Sequence, residues 1–265
     1  MAYLFQRVSG VADTSSYWRT KIGSCNFGYG TFMVLIKVNS LDGTNPGMVM
    51  FFNTSASAAA WGWGIMPTGI MRWFSSSSVI TNKSDGATAV GMGKWYILGA
   101  GKATGTSAPR FHLYDFTTQT WLHENGNASR PDATAPGSAG YLLWGSQTPA
   151  NTYTLDAYME TSAFWDSLLT DAQVESLCRT GSLMTQRMNW LRLLPKGMWE
   201  MNRFQPVGSA WPGDLTGQGA DFSFLGSYPS TVTTPVSGPY QIGGRSGKAH
   251  SSSSAARRRF AAVVG

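Results

Sequence analysis

The chain has 265 residues, 42% of them hydrophobic, so it is long enough to bury one sizeable core. Only 13% of the residues are charged and 31 are glycine, a composition typical of an all-β protein with many turns. Of the net charge of +6, five basic residues lie in residues 243–265, which contain no acidic residue, and this leaves +1 for the rest. A nucleic-acid-binding domain is therefore not expected, because such a domain carries basic residues on its folded body.

Cysteine spacing and hydropathy argue against a disulfide-stabilised protein and against a membrane-spanning one. Neither Cys25 nor Cys178 belongs to a CxxC motif, so we expect two buried, reduced thiols and no disulfide framework. No apolar run approaches the roughly 18 residues that span a bilayer, and the first residues lack the pattern of a signal peptide. We expect a protein that is made in the cytoplasm and has no membrane span.

Short apolar runs separated by turn residues occupy the first two thirds of the chain. The first run, TFMVLIKV (31–38), is apolar on both strand faces, which predicts a central strand covered on each side. The other runs are MVMFF (48–52), WGWGIM (61–66), GIMRWF (69–74), WYILGA (95–100), RFHLYDF (110–116), QTWLH (119–123) and YLLW (141–144). Many short strands with no alternating helices predict a β-sandwich.

Residues 152–165 show the longest period-2 alternation. The odd-numbered positions from Tyr153 to Trp165 are mainly apolar, and the even-numbered positions include Asp156 and Glu160. This pattern predicts one strand with a single buried face and a single solvent face.

The remainder of the chain changes in character after this strand. Thr170 is a candidate N-cap, Asp171 suits a first helical turn, and Val174 and Leu177 are spaced for one buried helix face. The predicted organisation is a sandwich over residues 1–181, a helix over 182–195, a Pro-rich extended arm over 196–242 and a basic low-complexity docking tail over 243–265.

The stretch from Thr31 to Cys178 resembles the concanavalin A-like lectin and laminin G-like superfamily. The resemblance rests on TFMVLIKV, on GKWYILGAGKA with the following PRFHLYDFTTQTW, and on YTLDAYMETSAFWDSLLTDAQVESL. Its most specific part is LTDAQVESL (169–177), which follows the pattern L-[ST]-D-x-[EQ]-[IV]-x-x-L. The resemblance covers about residues 1–180 and implies a jelly-roll β-sandwich.

A later segment, residues 198–231 with the motif DLTGQG (214–219), resembles concanavalin A-like proteins of tailed phages, especially phages of actinobacteria. Those relatives are usually minor tail proteins. The resemblance therefore implies a virion structural protein of the tail tip or baseplate, present in several copies among other virion proteins and contacting host-surface glycans. The alternatives are a capsid decoration protein anchored by its C-terminal tail and a stand-alone carbohydrate-binding module.

Enzymatic chemistry is not expected from this sequence. A retaining glycosidase needs two carboxyl groups about 5.5 Å apart, whereas Asp156 and Glu160 are four residues apart on one strand, roughly 13 Å. The sequence contains no G-x-S-x-G elbow, HExxH motif or P-loop. Its histidines are His112, His123 and His250, and His112 is expected on an exposed strand face.

Four residues on neighbouring strands are candidates for glycan binding: Trp61, Trp63, Arg72 and Trp73. Indole rings can stack on sugar rings when they are exposed. The competing interpretation, which we favour, places these tryptophans in the sandwich core.

Two further sets of candidates come from loops and from the tail. Many laminin G-like domains hold one calcium ion on loop oxygens, which makes Asp42, Asn45, Asp85 and Asp132 candidates, although such residues are more often simple turn residues. The candidates for docking to other virion subunits are Arg245, Lys248, Arg257, Arg258, Arg259 and Phe260. A solvated basic tail is the alternative for this second set.

Overall fold

In the part of the chain that the structure describes, two antiparallel sheets of seven strands each pack as a jelly-roll β-sandwich. The computed structural model describes residues 3–5, 17–21, 29–41, 43–53, 59–75, 83–133, 141–145, 155–178, 189–200 and 222–225. The all-β, jelly-roll prediction is confirmed.

Each sheet draws its strands from distant parts of the sequence. Sheet A has the order β1 (Tyr3–Phe5), β12 (Asp156–Trp165), β3 (Gly30–Ser40), β8 (Trp95–Lys102), β9 (Arg110–Asp115) and β10 (Thr120–Asn125), and β13 (Gly197–Glu200) also pairs with β12. Sheet B has the order β14 (Phe222–Leu225), β2 (Tyr17–Lys21), β11 (Tyr141–Trp144), β4 (Gly47–Asn53), β5 (Ala59–Ile65), β6 (Ile70–Phe74) and β7 (Lys83–Ala89).

Two strands lie in the region that the sequence predicted as an extended arm. β13 pairs with residues 161–164 of β12, and β14 pairs with residues 17–20 of β2. The two sheets therefore include segments from beyond residue 181. Within the predicted helix over 182–195, residues 189–192 are helical, and the part of it before residue 189 lies outside the described residues.

The main core fills the space between the sheets. Phe32 of β3 lies at its centre, with its ring centroid 4.9 Å from that of Trp61 and 4.7 Å from that of Phe164. Trp61, Trp63, Trp73 and Trp144 are fully buried in the same cluster. Aromatic side chains of this size bury about 150–250 Å² each, so they contribute strongly to the stability of the sandwich.

A second core covers the outer face of sheet A. Its strand residues include Met33, Leu35, Ile97, Ala163 and Trp165. They pack against Val174 and Leu177 of the helical segment and against Trp190. β3 is thus buried on both faces, as its sequence predicts.

The prediction of one wet face for β12 is wrong, because a β-bulge interrupts the strand. The pairing with β3 shifts between Met159 and Thr161, so Glu160 is the extra residue. Ala157 and Met159 face the main core, whereas Ala163 and Trp165 face the second core. One inserted residue therefore exchanges the two faces of the strand, and both halves are buried.

Helix α1 (Asp171–Glu175) begins as the sequence predicts and continues into a 3-10 turn over Ser176–Cys178. The Thr170 hydroxyl accepts a hydrogen bond from the backbone amide of Gln173, and the Gln173 side chain accepts one from the backbone amide of Thr170. This capping box fixes the first turn of α1, so Asp171 is held in a defined position. Within the described ranges, no helix combines the length and hydropathy that a bilayer crossing requires.

We predict that Gly62→Ala destabilises the sandwich, because a Cβ atom there would lie 2.3 Å from the Met50 carbonyl oxygen and 2.6 Å from the Phe51 Cα atom. Overpacking of this kind costs about 1–3 kcal/mol of unfolding free energy, measurable by urea denaturation. Gly43→Ala is the matched control, because nothing lies within 4 Å of a Cβ atom at that position. Equal stabilities of the two variants would contradict the packing of β5 against β4.

Candidate functional site

The structure places the predicted glycan-binding tryptophans where they cannot meet a sugar. Trp61, Trp63 and Trp73 each have 0% of their surface exposed, so the core interpretation holds for all three. Arg72 is engaged as well, since its Nη2 atom donates to Asp85 Oδ2 at 2.6 Å and its Nε atom donates to Asp85 Oδ1. This surface of sheet B offers no platform formed by these four residues.

Two of the four candidate calcium residues are engaged in ion pairs. Asp85 pairs with Arg72, and Asp132 pairs with the fully buried ammonium of Lys102 at 2.7 Å. Asn45 is partly buried in its loop, and Asp42 lies outside the described residues. Burial raises the pKa of Asp132, but hydrogen bonds from Lys102 and from the Gly105 amide outweigh burial and hold it below its usual value. Asp85 and Asp132 therefore already have cationic partners.

The two carboxylates of β12, Asp156 and Glu160, lie in different surroundings. Asp156 accepts hydrogen bonds from Asn39 Nδ2 at 3.1 Å and from Ser40 Oγ at 2.6 Å. Glu160 is buried at the bulge, contrary to the predicted solvent face. The docking candidates Arg245, Lys248, Arg257, Arg258, Arg259 and Phe260 lie outside the described residues.

The hairpin of β9 and β10 carries the most chemically distinctive side chains. Its turn spans residues 116–119, with Gln119 at a positive φ of 57°. The register of the hairpin pairs Tyr114 with Trp121 and His112 with His123. Directly paired residues lie on the same face of a sheet, so these four side chains share the outer face of sheet A.

Tyr114, Phe116 and Trp121 form what we term the aromatic patch. The Tyr114 ring centroid lies 4.9 Å from that of Phe116 and 5.1 Å from that of Trp121. Trp121 stacks on the His123 imidazole with an interplanar angle of 11° and a centroid distance of 5.5 Å. All three aromatic side chains are partly buried against the second core and partly exposed. The patch is a fixed aromatic surface that solvent reaches.

Beside the patch lies a group that we term the histidine cluster: His112, His123, Asp171, Arg110 and Glu175. The Nδ1 atoms of His112 and His123 are 2.8 Å apart. Asp171 Oδ1 lies 3.8 Å from the first of these nitrogens and 3.7 Å from the second. Strands β9 and β10 supply the histidines, and the capped first turn of α1 supplies Asp171.

Arg110 and Glu175 orient the other members of the histidine cluster. Arg110 donates from Nε to Asp171 Oδ1 at 3.0 Å and from Nη2 to Asp171 Oδ2 at 2.5 Å. This bidentate pair lowers the pKa of Asp171 and fixes its carboxylate plane. Glu175 Oε1 lies 3.2 Å from His123 Nε2. An Nε2–H donor on His123 satisfies this contact and leaves the His123 Nδ1 lone pair facing His112.

The expected exposure of His112 is wrong, since its side chain is fully buried. Burial, reinforced by His123 and Arg110, lowers the pKa of His112 to about 3 although Asp171 acts in the opposite direction. His112 is therefore neutral, and its Nδ1–H can donate to His123 Nδ1. The sequence contained one signal for this pair, because a hairpin centred on residues 117 and 118 places His112 opposite His123.

Comparisons with known proteins give a fold and no family. No protein-family model matches the chain, and no curated protein matches it significantly. The chain is similar to a solved structure of a Bacteroides ovatus ATCC 8483 protein for which carbohydrate binding is suggested, with a TM-score of 0.52 and 12% identity. That similarity covers 79% of this chain and 56% of the other, so this chain spans little more than half of that protein.

Two other solved structures are less similar. One is the native heptameric SAP-like pentraxin from Limulus polyphemus, with a TM-score of 0.47, 13% identity and coverage of 66% of this chain and 80% of that one. The other is tailspike protein 2 of the Escherichia coli O157:H7 bacteriophage CAB120, with a TM-score of 0.42, 10% identity and coverage of 76% and 28%. At 12% identity, the similarity to the Bacteroides structure shows a shared jelly-roll fold and nothing more.

We predict that His112 makes the stability of the protein depend on pH. Its pKa is about 3 in the folded chain against an ordinary 6.5, so between these values only the unfolded chain binds the proton. Stability therefore falls as the pH is lowered through this window, by about 2–3 kcal/mol from about pH 6.5 to about 4.5. Urea denaturation of the wild type and of His112→Gln at each pH measures this loss. Parallel pH profiles for the two proteins would contradict the burial of a neutral histidine.

Proposed function

We propose that the protein is a non-enzymatic structural subunit of a phage virion, of the minor tail or tail-tip kind, whose lectin-like sandwich binds host-surface carbohydrate through the aromatic patch. The observation that carries this proposal is the partly exposed patch of Tyr114, Phe116 and Trp121 on the outer face of sheet A. Exposed, rigid aromatic rings are what the apolar faces of sugar rings stack on.

The geometry of the patch supports a binding role over a merely structural one. Trp121 is held by stacking on His123 and by contact with Tyr114, so little side-chain freedom is lost when a ligand binds. Glu175 lies next to the stacked rings, and its half-exposed carboxylate offers acceptors to hydroxyls. Sites for small ligands combine an apolar surface with a few oriented polar groups in this way.

The partners of several carboxylates support a non-enzymatic role. Asp85 and Asp132 are neutralised by Arg72 and Lys102, and Asp156 is held by Asn39 and Ser40. A glycosidase needs one carboxyl group as an acid and a second as a nucleophile or base, both facing the substrate. These three carboxylates have structural partners instead.

The virion assignment is supported by the sequence resemblance of residues 198–231 to proteins of tailed phages, and by the basic tail over 243–265. The similarity to the Bacteroides protein supports the carbohydrate part of the proposal. A capsid decoration protein would need the same sandwich and the same anchor. A stand-alone carbohydrate-binding module would need the patch and not the tail.

We predict that Trp121→Ala abolishes most carbohydrate binding, because a central tryptophan in a binding site contributes about 2 kcal/mol, or roughly 30-fold in affinity. A glycan array identifies the best ligand of the wild type, and calorimetry with that ligand gives the affinities. Leu122→Ala is the matched control, since Leu122 is 37% exposed and follows Trp121 on β10, facing the other side of the sheet. Unchanged binding by Trp121→Ala, or no glycan bound by the wild type, would refute the role of the patch.

We further predict that a chain truncated after Tyr240 folds but is missing from virions, because it keeps all described strands and loses the docking candidates Arg245 to Phe260. Circular dichroism checks the fold, and immunoblotting of purified particles checks incorporation against the full-length chain. Normal incorporation would refute docking by the tail and favour the stand-alone module. Immunogold electron microscopy of full-length particles separates a tail subunit from a capsid subunit.

A further inference from the structure

Three potential metal-ligand atoms of the histidine cluster lie close enough together to bind the same ion. They are Nδ1 of His112, Nδ1 of His123 and Oδ1 of Asp171, separated by 2.8, 3.7 and 3.8 Å. A triangle with these sides has a circumscribed radius of about 2.0 Å, so one position lies about 2.0 Å from all three atoms, which matches zinc–nitrogen distances of 2.0–2.1 Å and zinc–oxygen distances of 2.0–2.2 Å.

We propose that His112, His123 and Asp171 bind one divalent transition metal ion of the zinc class. Two imidazoles and one carboxylate are a ligand set that such ions accept, whereas calcium requires six to eight oxygen ligands. This site is separate from the loop residues considered for calcium, and it does not depend on carbohydrate binding.

Two of the three proposed ligands, His123 and Asp171, are held by neighbouring groups as in the outer shell of a metal site. Metal-binding histidines commonly donate their second N–H to a carboxylate, which fixes the tautomer and the orientation of the ring. Glu175 is placed for this role 3.2 Å from His123 Nε2. Arg110 holds Asp171 through two hydrogen bonds and leaves one Oδ1 lone pair directed away from the guanidinium.

The cluster is both ordered and accessible. His112 is fully buried and the His123 side chain is 11% exposed, so their positions are set by packing. The Asp171 side chain is 41% exposed, which leaves a path from solvent to the fourth coordination position. A water molecule can fill that position, as in zinc sites with three protein ligands.

The metal-free cluster accounts for the short nitrogen–nitrogen contact. One proton shared between the two Nδ1 atoms joins His112 to His123, and His123 in turn donates to Glu175. When a metal ion binds, this proton would leave His112 Nδ1 for water, and His112 would take up one proton from water on Nε2, so that the ring stays neutral. In ideal tetrahedral geometry the two nitrogens would move apart to roughly 3.3 Å, a shift of about half an ångström.

A bound ion would add a direct link between three elements that packing, hydrogen bonds and the Arg110–Asp171 ion pair already join. It would join β9, β10 and the first turn of α1, and it would hold the His123 ring under Trp121. We therefore expect metal binding to stabilise the folded chain and to lower the mobility of the aromatic patch.

The test uses the full-length, tag-free chain after chelator treatment, titrated with zinc chloride and, separately, with cobalt chloride. We expect one zinc ion per chain by calorimetry and elemental analysis, a higher Tm with zinc, and visible cobalt absorption bands of a nitrogen and oxygen site. Asp171→Asn and His123→Gln should each weaken zinc binding by about tenfold or more. His250→Ala removes the only other histidine in the sequence and is the control for non-specific binding.

His112 is not the main variant, because its side chain is fully buried and its replacement would change the stability as well as the metal site. Circular dichroism and the metal-free Tm establish that the two test variants are folded. The site would be refuted if the wild type did not bind one zinc ion per chain. It would also be refuted if the wild type and the two folded variants bound zinc equally well. Loss of binding in His250→Ala alone would assign the metal to the tail and would refute it as well.

Discussion

The apolar outer face of sheet A is the constraint on which the rest of this structure depends. A sheet exposed on one side can alternate polar and apolar residues, but β3, β8 and β12 present Met33, Leu35, Ile97 and Trp165 on the side away from the main core. Leaving that face in water would cost about 25 cal/mol for each Å² of exposed apolar surface. The segment after β12 must therefore fold back across it, and the second core with α1 is the result. The aromatic patch and the histidine cluster lie beside this covering layer, so the same packing that completes the fold also positions the candidate site.

The bulge at Glu160 determines which residues of β12 form that second core. Before the bulge, Ala157 and Met159 face sheet B, and after it Ser162 takes that side and accepts a buried hydrogen bond from Trp144 Nε1 at 3.1 Å. The two halves of β12 also have different outer partners, since β1 pairs with residues 157–159 and β13 with residues 161–164. A strand without the bulge would direct Ala163 and Trp165 into the main core and leave the contact surface for α1 without its largest residue.

The sequence predicts those features whose physical cause is local. The buried faces of β3 follow from its continuous apolar run, and the start of α1 follows from Thr170, Gln173 and Val174, because capping and helical spacing depend only on near neighbours. The face exchange in β12 has no local cause, since the bulge is fixed by pairing with β3. The histidine cluster combines both cases: hairpin symmetry could bring His112 to His123, but Asp171 reaches them only because α1 folds over the sheet. The tryptophans of β5 and β6 were ambiguous, because an alternating strand does not reveal which of its faces is inside.

The hairpin of β9 and β10 is held on both faces, which is why it can serve as a rigid binding surface at the edge of the sheet. On the outer face, Arg110 binds Asp171 of α1. On the inner face, the Glu124 carboxylate accepts hydrogen bonds from the amides of Ala87 and Thr88 at 2.8 and 3.1 Å, which ties β10 to β7 of sheet B. An unsupported edge strand would be free to move, and ordering it on binding would reduce affinity. Because the two sheets and α1 all restrain this hairpin, Trp121 and His123 are already fixed before any ligand arrives, and the entropy of fixing them is part of folding and not of binding.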